Sequence, residues 1–407
     1  SLVLGGGRLT YTGPTAAPDR LFSMSTNGGI DASGTGPLTF GAGTITHSGV
    51  TGRFLTLSGI NQDANTIAST LTNSGTGGSI TSVYKTGYGN WNLTGPSTAS
   101  GLVRGRGGNV TLDYANADPW AGGALLQSGT IILKAKAGGT TETMSNLQIG
   151  EAHNGLGILK LTGNMSLTVA SLDGNAATQR HNLIDLSNNG GSINVTAIST
   201  AFNAGNNGLL NNNTAVSVDN GRANVILRAA DSTYGFAAFA PGSTSGLLQK
   251  LGNLTTLTPG GAVAIGTSTT NYYLGAGSYT TTGTANYSTL TLDSAAGAVN
   301  LTLPANATFS PGGTGKAILA TGSNDVTISG GNTTSAITQP MWIHNYVDPS
   351  ATFNISSNLG TGAYFIIGGT GYTNYSGLGL GQKTSPSDTQ FVLNGGVFRM
   401  TTDQDLA

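Results

Sequence analysis

The sequence predicts an all-β chain wound as a right-handed parallel β-helix. Three observations carry that prediction. A glycine-bounded strand cassette recurs along the chain, charged residues make up only 8% of it, and no convincing amphipathic helix of three turns can be found. The cassette is clearest at Lys85–Pro96, where the turn Thr86-Gly87-Tyr88-Gly89 leads into Asn90-Trp91-Asn92-Leu93 and a second turn follows at Gly95. Alternation with period two puts Trp91 and Leu93 on one face and Asn92 on the other. Looser copies are Gly155–Gly163, which carries Leu159 and Leu161, and Leu251–Gly260, which carries Leu254 and Leu257. A glycine pair followed by an alternating strand recurs at Gly6–Tyr11, Gly107–Leu112, Gly190–Val195 and Gly395–Met400. One module reused many times marks a repeat architecture, not a pocketed enzyme.

Taken in order, the elements are short. Strands such as Leu38–Phe40 and Phe54–Leu57 sit between Gly, Pro, Asn and Ser turns up to about Gly101. They lengthen at Thr130–Lys134 and Leu183–Leu186. The stretch Ser199–Asn220 is rich in asparagine and reads as a long turn or a stacked asparagine corner. Strands resume at Val225–Leu227 and run through Leu290–Leu292 and Leu301–Leu303 to Val326–Ile328. Gln339–Tyr346 is the least repetitive and most aromatic segment, and Phe353–Met400 returns to the cassette pattern. Ser243–Leu251 is the nearest approach to a helix. The expected organisation is one continuous solenoid over 1–407, with an Asn-rich interruption near 199–220 and a less regular insert near 336–350.

Stacking explains the missing charge. Successive coils pair at about 4.8 Å, so like side chains pile up vertically. Charges at that spacing would repel, whereas Thr, Ser and Asn ladders satisfy one another and small apolar residues fill the lumen. Coils of roughly 20 to 25 residues give roughly 16 to 20 turns and a rod on the order of 80 to 100 Å. A tandem of immunoglobulin-like sandwiches would need longer strands and a core tryptophan per domain. The three tryptophans, Trp91, Trp120 and Trp342, share no context.

Composition excludes several functions. Sixteen basic and 17 acidic residues, net charge −1, supply no phosphate-neutralising surface, so no nucleic-acid partner is expected. The longest apolar runs, such as Ala363–Ile367, are far too short for a spanning helix of about 20 residues. Cysteine is absent, which removes disulfide scaffolds and thiolate metal sites. The strand-like opening at Ser1–Leu4, without an initiator methionine, and the close at Thr401–Ala407 read as cut from a continuing pattern, as in a mature or partial segment.

The cassette Lys85–Gly95 resembles the autotransporter-associated β-strand repeat of bacterial surface proteins. In that family a Lys-Thr-Gly turn leads into an apolar strand ending in Leu-Thr/Ser-Gly, and here Gly95–Gly101 occupies the place of the segment that follows. Leu4–Gly13 and Leu393–Met400, with Asp403 and Leu406, fit the same pattern. The Lys250-Leu251-Gly252 copy lacks the threonine. The resemblance implies a secreted passenger β-helix on the outside of a bacterium, serving as stalk, adhesin or fibre. It implies structural repeat-core roles for Lys85, Gly87, Trp91, Leu93, Gly95, Leu159, Leu161, Leu254 and Leu257, and carries over no catalytic residue and no cofactor. Expected partners are other copies of the chain, joined head to tail or laterally through unpaired strand edges, and surface glycans.

Chemistry-bearing residues are sparse. His47, His153, His181 and His344 lie far apart, with no second ligand at metal spacing. A polysaccharide lyase on this fold would need carboxylates such as Asp113, Asp118, Asp173 and Asp185 to converge with a base; isolated turn aspartates are the simpler account. Gly312–Ala317 lacks the leading glycine, the following Ser/Thr and the helix of a phosphate loop, and Gly377–Thr384 fails at Gln382. Sequons beginning at residues such as Asn92 and Asn253 are permissive only. Tyr272-Tyr273, Tyr364-Phe365 and the cluster from Trp342 to Tyr346 are candidates for an exposed contact patch, with core packing as the competing assignment.

Overall fold

The computed structural model describes residues 2–74, 79–149, 155–174, 181–199, 223, 225–240, 243, 245–266, 269–307, 316–331, 341–357, 365–377 and 391–401. Among them every regular element is a strand. The expected all-β solenoid is what forms: nearly every pairing is parallel, and each strand pairs with the equivalent one a turn later. Ser243–Leu251 contributes two short strands, Gly246–Leu247 and Gln249–Lys250, instead of a helix.

Apolar alternation becomes columns. Trp91 sits over Val110, then Ile131, Leu159, Ile184 and Leu227, while Ile67, Leu93, Leu112, Leu133 and Leu161 form the adjoining column. All of these are buried in one continuous core. Polar residues stack outside the lumen as expected: Asn109 Nδ2 donates to Asn90 Oδ1 at 2.9 Å, Asn374 Nδ2 to Asn354 Oδ1 at 3.0 Å, and Thr302 and Ser329 meet at 3.2 Å. Each pair stands one rung apart.

The ladders fall into two stacks. The first carries an eight-stranded ladder, running from Arg8–Tyr11 to Leu172–Gly174, beside a ladder that begins at Thr39–Phe40. Its third side is formed by Leu2–Leu4, Phe22–Met24 and Thr46–His47 at one end, and by Thr140–Met144, Met165–Val169 and Ile193–Val195 further on. Parallel winding stops where Val225–Arg228 pairs antiparallel with Tyr234–Ala238, which pairs antiparallel with Gln249–Lys250. The second stack, from Thr255–Thr256 to Val397–Met400, has two seven-stranded ladders and its own lumen. Among the described residues the single run expected over 1–407 is therefore interrupted, and the ladders hold fewer turns than the roughly 16 to 20 expected. Residues 200–220 lie outside the described residues. Of the segment near 336–350, Met341–Val347 is a regular rung, paired residue by residue with Lys316–Gly322 on one side and with Phe365–Gly369 on the other.

The second stack folds back along the first. A third apolar cluster joins Leu183, Ile226 and Phe236 of the first to Leu319, Trp342 and Ile366 of the second. Strands in this contact are buried on both faces, so His181–Leu186 and Met341–Val347 are continuously buried where other rungs alternate. Loss of alternation over Met341–Tyr346 is thus the mark of a doubly covered rung.

Candidate functional site

The first site is a corner. Thr81–Lys85 is an interior strand of one ladder and Asn90–Leu93 of the ladder beside it, so the chain turns at residues 86–89. Gly87 has φ +69°, and a Cβ there would lie 2.7 Å from Gly59 O one rung away. Gly95 is required by close approach, since its Cβ would fall 2.4 Å from Ala68 O. Lys85 is fully buried, and its Nζ donates to Thr86 O at 2.6 Å, Gly107 O at 2.9 Å and Gly87 O at 3.0 Å. The ammonium satisfies corner carbonyls from two successive rungs. Burial lowers its pKa to about 8. Trp91 Nε1 donates to Ser58 O at 2.9 Å, which ties the strand to the preceding turn. The Lys-Thr-Gly signature is a structural device.

Of the other residues assigned to the repeat core, Leu93, Leu159 and Leu161 are fully buried. Leu254 and Leu257 are only half-buried, because the strand there shrinks to Thr255–Thr256. Trp342 and Tyr346 are buried in the contact between the stacks and do not form a solvent-exposed patch. Tyr234 stacks on Tyr346 with ring centroids 4.6 Å apart. Tyr272 and Phe365 are buried as well, and Tyr364 lies outside the described residues.

The acidic candidates do not converge. Asp113 pairs with Lys134 at 2.9 Å, Asp118 caps the amide of Trp120, and Asp173 belongs to the other ladder, where Asn146 and Ser171 bond to it. Asp185 lies 3.8 Å from Arg228 and 3.9 Å from Lys160. Among the described residues no three His, Cys, Asp or Glu side chains are placed to hold a metal ion. His47 is half-buried on the first stack and His153 lies outside the described residues. His181 and His344, distant in sequence, are brought face to edge with centroids 4.4 Å apart. The one signal that could have found them is the loss of period-two alternation in their two rungs, His181–Leu186 and Met341–Val347. Beside them a cleft of about 420 Å³ opens between the stacks, lined by Arg228, Tyr234, Asp293, Thr321, Tyr346 and Asp348 among others.

Turn-capping lysine, glycine corners and stacked apolar columns together define a parallel β-solenoid of the kind built from autotransporter passenger repeats. Over 95 residues, 22% of this chain, the sequence is 41% identical to the BmaC autotransporter adhesin of Brucella suis biovar 1 (strain 1330). The match covers 3% of that relative's length. No family model and no solved structure matches the chain. The fold and this relative agree with the resemblance read from the cassette.

Proposed function

We propose that the chain is a structural segment of a bacterial surface protein, displayed outside the cell as part of a stalk, fibre or adhesin, and that it works without catalysis. The observation that carries this proposal is the pair of stacked lumens filled by uninterrupted apolar columns, in a chain similar to an autotransporter adhesin. Asp113, Asp118, Asp173 and Asp185, the carboxylates a lyase would have to gather, are held in turns or ion pairs and do not converge. Brief protease treatment of intact cells producing the native protein should remove this segment without lysis; protection until lysis would refute surface display. Self-association is part of the proposal. Strand edges with exposed apolar residues stand at Leu2 and Val3 and at Phe391, Leu393, Val397 and Met400. Sedimentation velocity should then show species growing with concentration, and a single monomer boundary throughout would overturn that part.

A further inference from the structure

We propose that the contact between the two stacks is an acid-sensitive latch, weakened when His181 and His344 take up protons. Both rings are fully buried. His181 Nε2 faces Ile343 O at 3.3 Å and His344 Nε2 faces Ala223 O at 2.6 Å, so in each neutral ring the proton sits on Nε2. His181 Nδ1 accepts from Asn394 Nδ2 at 3.1 Å, and His344 Nδ1 is buried with no hydrogen-bond partner. Protonation adds an N–H at Nδ1. At His181 that N–H meets a donor, unless the Asn394 amide turns over. At His344 it enters a dry site with no acceptor, which costs far more than a proton on an exposed ring. Charging both would set two cations side by side at the 4.4 Å ring spacing.

Among the described residues no carboxylate hydrogen-bonds either ring. Phe236 packs at 5.8 Å from His344, and Gly368 lies so close that a Cβ there would meet His181 Cγ at 2.3 Å. The charged groups on the same faces are Lys160, Asp185 and Arg228, grouped around the Asp185 carboxylate. The phenols of Tyr234 and Tyr346, both raised by burial, complete the titratable set. Burial holds both histidines below their ordinary range, His344 at about 3, with the two rings also opposing one another's charge at His181. The closed contact therefore binds fewer protons than the open one between pH 6.5 and about 3, and acid favours opening. Each histidine should raise the open-to-closed ratio about tenfold per pH unit in that window, and the pair up to about a hundredfold.

Hydrogen exchange of the full chain, corrected for the intrinsic pH dependence of exchange, tests this between pH 7 and 4.5. Amides of 181–186, 225–228 and 341–347 should lose protection steeply on acidification, while the rung around Trp91 and Leu93 keeps it. The double variant His181→Phe/His344→Phe should show a flat profile at the contact. The single variant His344→Gln, which keeps a side-chain amide donor, should show about half the slope and serves if the double variant does not fold. His47→Asn should leave the profile unchanged. Equal slopes in wild type and variants, or parallel loss of protection throughout the first stack, would overturn the latch.

Discussion

Replacing Lys85 by methionine keeps most of its volume and removes an ammonium that donates to three corner carbonyls. Two effects oppose each other. The carbonyls lose charge-assisted bonds worth roughly 1.5 to 3 kcal/mol each, while the variant escapes the cost of burying a charge. That second cost has a bound. A pKa lowered from 10.5 to about 8 corresponds to about 3.4 kcal/mol. The bonds should win, leaving Lys85→Met about 1 to 6 kcal/mol less stable at pH 7. A repeat protein need not unfold as one unit, so exchange of the Gly89 and Arg106 amides, which bond to Gly59 O and Lys85 O, is the proper readout beside thermal melting. The pH dependence adds a check of sign. Between pH 8 and 10.5 the unfolded chain holds a proton that the folded lysine has lost, so wild-type stability should rise through this window relative to Lys85→Met. A methionine variant as stable as wild type at pH 7 would show that the ammonium is only tolerated at the corner, and would refute its role as a cap.

Other expectations concern packing. Gly87→Ala should destabilise by about 2 to 4 kcal/mol in thermal melts, since it combines strain at positive φ with a contact on Gly59 O. Leu93→Ala opens the lumen between Ile67 and Leu112 and should cost about 2 to 5 kcal/mol by denaturant titration. Trp342→Ala should raise exchange across the contact between the stacks while leaving the Trp91 rung protected, because Trp342 packs outside both lumens. Size should follow the fold-back. Only about four rungs overlap, those from Leu156–Gly163 to Tyr234–Ala238 facing those from Phe391–Leu393 back to Lys316–Gly322. About twelve rungs at about 4.8 Å therefore separate the far ends, and small-angle scattering should report a staggered double stack about 60 Å along the axis.

The parts of the fold that depend on local pattern are legible in the amino-acid sequence. Period-two alternation at Trp91 and Leu93, glycine at positive-φ corners and paired asparagines one coil apart all reappear as columns, turns and ladders. Lys85 stands out by its position in the cassette, though only the folded chain reveals that its partners include Gly107 of the next rung. Leu254 and Leu257 are less legible, since a three-residue spacing does not fit one face of a strand and the rung there is short.

By itself, then, the sequence determined the mode of winding, because neighbouring residues and recurring spacings suffice to specify a strand, a corner and a neutral stack. It did not determine how one stack meets another. That contact joins His181 to His344 and Tyr234 to Tyr346 across more than a hundred residues. No periodicity encodes such a pairing. Only the tertiary structure decides it, because covering the outer face of a ladder depends on which apolar columns the folded chain brings opposite one another.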